Sequence, residues 1–128
     1  MEICHRIGII DDDTAVRDST HLLLEAYGFQ VSEYASATDY LKNSRTDCLL
    51  LIDLAMSDLN GLDLIDLLRS GDINTPVILL TDIAEPYLSL RISAASHCAK
   101  LDKPFTAGAL LNKIGASLGE ISCAARHT

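Results

Sequence analysis

"IGIIDDDTAVRDS", Ile7 to Ser19, drives a short apolar run straight into three consecutive aspartates. A strand that is apolar on both sides suits a parallel sheet covered by helices. Its acidic end has no structural motive. Neighbouring carboxylates repel, and each loses hydration if the strand ends in a crevice. The stretch therefore proposes a fold and asks what neutralises the charge.

The same alternation continues outward. Arg6–Ile10 reads as a strand. Thr14–Tyr27 reads as a helix with Val16, Thr20, Leu23, Leu24 and Tyr27 on one face, stopped by Gly28. Gln30–Tyr34 is a second strand. "SATD", Ser36–Asp39, resembles a capping box opening a short helix toward Asn43. Leu49–Asp53 is the third strand and Gly61–Ser70 the next helix. Thr75–Thr81 is the fourth strand, with Pro76 at its entry. Pro86 suits the first turn of a helix running to about Ala95. Cys98–Leu101 is a short fifth strand, and a last helix runs from Thr106 to about Leu118 on a stripe of Ala107, Leu110, Leu111, Ile114 and Leu118. Strict strand–helix alternation with short connections indicates an α/β domain with a parallel sheet and helices on both faces. Residues 1–118 read as one domain, and 119–128 as a flexible tail or the start of a linker.

Composition agrees. The 128 residues are 48% hydrophobic with only three prolines, enough for one core. A formal charge of −8 argues against a nucleic-acid-binding surface on this chain. No stretch reads as a secretory signal or a membrane span, and the expected location is cytoplasmic. Cys4, Cys48, Cys98 and Cys123 lack metal-ligand spacing and read as reduced thiols. His5, His21, His97 and His127 lack it too, and read as surface or helix-face residues.

In such a sheet the ligand crevice lies at the carboxyl ends of the strands. There the first strand delivers Asp11, Asp12 and Asp13, the third Asp53, the fourth Thr81, and the fifth Lys103 followed by Pro104. This reading places no arginine beside the converging carboxylates, so they call for a hard cation. Oxygen ligands fit Mg²⁺, with Mn²⁺ the alternative. Asp53, alone on its strand, can then be a nucleophile toward phosphorus. Lys103 and the Thr81 hydroxyl would hold the transferring group. One of Asp11–Asp13 should also cap the first helix.

These segments resemble the receiver domain of bacterial two-component response regulators. "IIDDDTAVR" is similar to the family's acidic motif, "LLLIDLAMSDLNGLDLI" to its phosphoacceptor segment with D-x-x-M-x-x-x-x-G from Asp53 to Gly61, and "VILLT" and "LDKPF" to its hydroxyl and lysine segments. The resemblance covers about residues 5–118. It implies a flavodoxin-like sheet of order 2-1-3-4-5 that accepts a phosphoryl group on Asp53 from a histidine kinase or histidine phosphotransfer protein. Asp11, Asp12, Asp53 and the Ala55 backbone carbonyl would hold Mg²⁺. Thr81 and Lys103 would bind the phosphoryl oxygens, and the Lys103–Pro104 bond would be cis. The switching face, formed by the helix from Pro86, the fifth strand and the last helix, would address a downstream protein, an output domain or a second copy. Such a chain is a signalling receiver rather than an enzyme.

Four positions depart from the family pattern. Lys100 stands where an aromatic is usual, Asp82 where a small residue follows the threonine, Ser57 where proline is common, and Ser96 where glycine is common. Lys100, atypical for the switch, should stay outward or reach an acid such as Asp82 or Glu85. Two other readings compete. A haloacid-dehalogenase-like aspartyl phosphatase would use Asp11 as nucleophile and Asp13 as general acid. A flavin- or nucleotide-binding module of the same topology lacks a glycine-rich phosphate loop.

Overall fold

The computed structural model describes residues 5–43, 47–82 and 98–126, with side chains up to 118 in the last segment. Five strands, β1 (Arg6–Ile10), β2 (Gln30–Tyr34), β3 (Leu49–Asp53), β4 (Val77–Thr81) and β5 (Cys98–Asp102), form one parallel sheet of order 2-1-3-4-5. The described helices are α1 (Thr14–Ala26), α2 (Ala37–Lys42), α3 (Gly61–Ser70) and the C-terminal α4 (Ala107–Arg126). The helix expected over Pro86–Ala95 lies outside the described residues, as do Glu85 and Ser96.

Side-chain alternation along each strand splits the core in two. Ile10, Leu50, Ile52, Val77 and Leu79 face α2 and α3, packing with Tyr40, Leu64, Ile65 and Leu68. Ile7, Ile9, Leu49, Leu51, Ile78 and Leu80 face the other way, onto Leu24 of α1 and Leu110 and Ile114 of α4. β3 and β4 are buried along their whole length, which is why they read as unbroken apolar runs.

The helix starts are set by local polar chemistry. Asp13, Ser36 and Asn60 each accept a hydrogen bond from a backbone N–H three residues on, capping α1, α2 and α3. Gly61 opens α3 against the sheet. A Cβ there would lie 2.5 Å from Leu79 Cδ1 and 3.0 Å from the Asp53 carbonyl oxygen. The absence of a side chain lets α3 start directly beneath the end of β3.

Three expectations need correction. Tyr27 is the C-cap of α1 and is exposed rather than part of the buried face; the chain turns toward Gly28, at φ +91°, before the helix can carry it inward. The backbone of α4 is helical through Arg126, past the Leu118 stop. Gly119 costs about 1 kcal/mol in a helix, too little to break a segment flanked by helix-compatible residues. Cys98 is a free thiol, but Cys48 is disulfide-bonded rather than reduced. Its amide bonds to the Arg6 carbonyl of β1, a juxtaposition that cysteine spacing does not reveal.

Candidate metal and phosphoryl site

The parallel register that pairs Ile10 with Ile52 delivers Asp11 and Asp53 side by side at the carboxyl edge. Both are nearly sealed from solvent, at 1% and 7% exposure, while Asp12 is exposed. One carboxylate oxygen from each of Asp11, Asp12 and Asp53 can be chosen so that all three lie within 4.8 Å of one another. On the far side β4 carries the buried Thr81. The Thr81 carbonyl accepts the Lys103 amide at 2.8 Å, which anchors the lysine beside β4. The Lys103 Nζ then reaches Asp53 Oδ1 at 2.9 Å. The Lys103–Pro104 peptide bond is cis.

Each acid is held differently. Asp11 Oδ1 accepts the Asp13 amide at 2.9 Å, whereas its buried Oδ2 has no hydrogen-bond partner among the described residues. Asp12 Oδ2 accepts the Ser57 amide at 3.1 Å, tying the turn after β1 to the loop after β3. A proline at position 57 could not make this bond, having no N–H. Burial raises the Asp11 carboxyl above the ordinary range. The Asp13 amide opposes the rise, and the charges of Asp53 and Asp12 add to it. Burial pulls Lys103 down, but the Asp53 hydrogen bond and the charges of Asp53, Asp11 and Asp82 outweigh it, so its pKa is raised. One ammonium cannot balance three carboxylates. An oxygen-only donor set with an unsatisfied buried oxygen fits a hard, hydrated cation rather than zinc.

The comparisons with known proteins point the same way. The response regulator receiver domain model matches residues 7–115. The chain belongs to this family. It is 31% identical over 116 residues to the transcriptional regulatory protein FixJ of Azorhizobium caulinodans, an alignment covering 88% of this chain and 54% of that protein. This receiver thus spans about half the length of the curated relatives it matches. A CheY-like receiver domain protein from Methanospirillum hungatei is 31% identical, with a TM-score of 0.82 over 91% of this chain and 95% of that one. The chemotaxis protein CheY4 of Vibrio cholerae, at 20% identity, shares the fold with a TM-score of 0.81 over 89% of this chain and 98% of that one.

Of the residues singled out in the sequence, the receiver brings together Asp11, Asp12, Asp53 and Lys103, with Thr81 at the neighbouring strand end. Ala55 lies two residues past Asp53 in an exposed loop. Asp13 caps α1 and is exposed, so it is not placed as the general acid a phosphatase would need. Lys100 is partly exposed and pairs with Asp102 at 3.3 Å, not with Asp82. Both residues sit on β5 two positions apart, hence on the same face of the strand.

Arg17 went unread. Its Nη1 donates to the Asp11 backbone carbonyl at 2.6 Å, and its Nε to Glu33 Oε1 of β2 at 3.0 Å. The expectation of no arginine nearby is therefore wrong as to place. The guanidinium binds a carbonyl and Glu33 rather than the site carboxylates. Helical spacing from Asp13 puts Arg17 one turn into α1, and that was the available signal.

Proposed function

We propose that this receiver accepts a phosphoryl group on Asp53, in a Mg²⁺-dependent reaction, from a histidine kinase or histidine phosphotransfer protein. The observation that carries the reading is the convergence of Asp11, Asp12 and Asp53 with Lys103 reaching Asp53. An Asp53 carboxylate oxygen attacks phosphorus, the bond from phosphorus to the donor nitrogen breaks, and its electron pair leaves with the imidazole. Asp11, Asp12, Asp53 and the Ala55 carbonyl would hold the metal, which would supply charge neutralisation and alignment of the phosphoryl group. Lys103 releases part of its hold on Asp53 to meet a phosphoryl oxygen, and the Thr81 hydroxyl donates to another.

The functional unit is residues 1–118. The chain signals rather than turning over a substrate, and works in the cytoplasm. Among the described residues no helix is long and apolar enough to cross a membrane. Lys100, paired with Asp102, stays outside the core in both states, so the signal leaves through Thr81 and the segment beginning at Asp82. β5 and its neighbouring helices form the face that meets a partner or a second copy.

Labelled acetyl phosphate with Mg²⁺ tests the assignment. Asp53→Asn abolishes labelling, and Asp13→Asn largely spares it. Labelling that survives Asp53→Asn and vanishes in Asp11→Asn would transfer the nucleophile to Asp11, as in a haloacid-dehalogenase-like phosphatase.

A further inference from the structure

We propose that Arg17 is a positioning residue for the metal-binding turn, acting through the Asp11–Asp12 peptide rather than through its charge. The inference rests on the reading of Asp11, Asp12 and Asp53 as a metal site. After β1 the chain leaves the sheet, and Asp11 makes its last sheet contact through its amide, which donates to the Tyr34 carbonyl. The Asp11 carbonyl turns instead to the Arg17 Nη1, at 2.6 Å. A peptide unit is planar, so gripping that oxygen fixes the direction in which Asp12 departs. The Asp12 carboxylate is thereby aimed at the cluster.

The grip is itself aimed. The Arg17 side chain is only 14% exposed, and its Nε is held by Glu33 Oε1 at 3.0 Å. The other Glu33 oxygen is hydrogen-bonded to His21 Nδ1 at 2.7 Å. Glu33 therefore sets the plane of the guanidinium, and the planar fork delivers a second donor to the carbonyl. A lysine offers a point charge without that fork. Geometry separates this role from simple neutralisation. The hydrogen bonds of the guanidinium go to the Asp11 carbonyl and to Glu33, not to a carboxylate of the cluster. Three mutually repelling carboxylates will not hold a ligating arrangement by themselves. Partners that orient metal ligands from behind commonly contribute ten- to a hundredfold in affinity.

Mn²⁺ binding, followed by the paramagnetic signal of the free ion, tests this on the intact chain. Arg17→Ala should weaken Mn²⁺ about tenfold. Arg17→Lys should recover only part of the loss, and Glu33→Gln should lose less than Arg17→Ala. In labelling with acetyl phosphate, Arg17→Ala should need more Mg²⁺ for half-maximal rate yet approach the wild-type rate at saturation. A purely structural residue would lower the melting temperature without moving the metal dependence. If Arg17→Ala does not fold, the Arg17→Lys and Glu33→Gln shifts decide. Mn²⁺ affinities within twofold of wild type in the folded variants overturn the role of Arg17. A wild-type chain that binds no Mn²⁺ overturns the metal site, and this inference with it.

Discussion

Asp11 and Asp58 are the same residue type in opposite circumstances. Asp58 lies in the loop after β3 and accepts hydrogen bonds from both the amide and the hydroxyl of Thr38, at 2.9 and 2.8 Å. Those bonds, the Thr38 amide foremost, hold its carboxyl below the ordinary range. Asp11 is buried, faces two other carboxylates, and leaves one oxygen without a partner among the described residues; its pKa is raised. The first acid fastens the loop to the start of α2. The second stores unfavourable electrostatics at a strand end that a ligand can relieve. In this pair the hydrogen-bonded aspartate belongs to the scaffold and the buried, charge-crowded one to the site.

The largest effect should come from removing the site's cation. Lys103→Ala leaves Asp53 and Asp11 facing each other without compensation. It should cost about 2 kcal/mol of stability in metal-free buffer, the range for a lost charged hydrogen bond that is partly buried, measured by urea denaturation. Mg²⁺ should restore part of that loss. A variant as stable as wild type without metal would mean that the cluster is not under electrostatic strain.

Smaller changes of opposite sign should separate the two acids. Asp11→Asn should stabilise the metal-free chain by about 1 kcal/mol, because an amide carries no charge to desolvate. Asp58→Asn should destabilise it by about 0.5 kcal/mol, since the Asp58 bonds are solvent-exposed. Their pH profiles should differ in the same sense. The lowered pKa of Asp58 gives stability that is present above about 3.8 and lost as pH falls through its folded value. The raised pKa of Asp11 works the other way: the penalty is absent in acid and develops as pH rises from about 3.8 through its folded value. Melting temperatures of both variants across the acid range check this, and equal signs for the two substitutions would dissolve the distinction.

Much of this organisation was legible from residue order. The buried strands announce themselves because both faces of β3 and β4 are covered, and Asp53, Thr81 and Lys103 fall where those strands end or just beyond. The Asp102 partner of Lys100 was missed in favour of Asp82 or Glu85, because the expected fifth strand ends at Leu101, one residue short of Asp102. Helical spacing from Asp13 places Arg17 one turn into α1 but does not encode its bond to the Asp11 main-chain carbonyl. The Ser57 bond to Asp12 escaped because its donor is a main-chain amide, which side-chain patterns do not encode either. Tyr27 and the long α4 were misjudged because capping geometry and the tolerance of one glycine are decided by context, not by periodicity.

Incubating the wild-type chain with acetyl phosphate and Mg²⁺, trapping the acyl phosphate by borohydride reduction and mapping the peptides tests the central claim most directly. The account predicts one modified position, Asp53, with yield lost when the metal is chelated. Modification at Asp11 or Asp13, or an equal yield without metal, would contradict it.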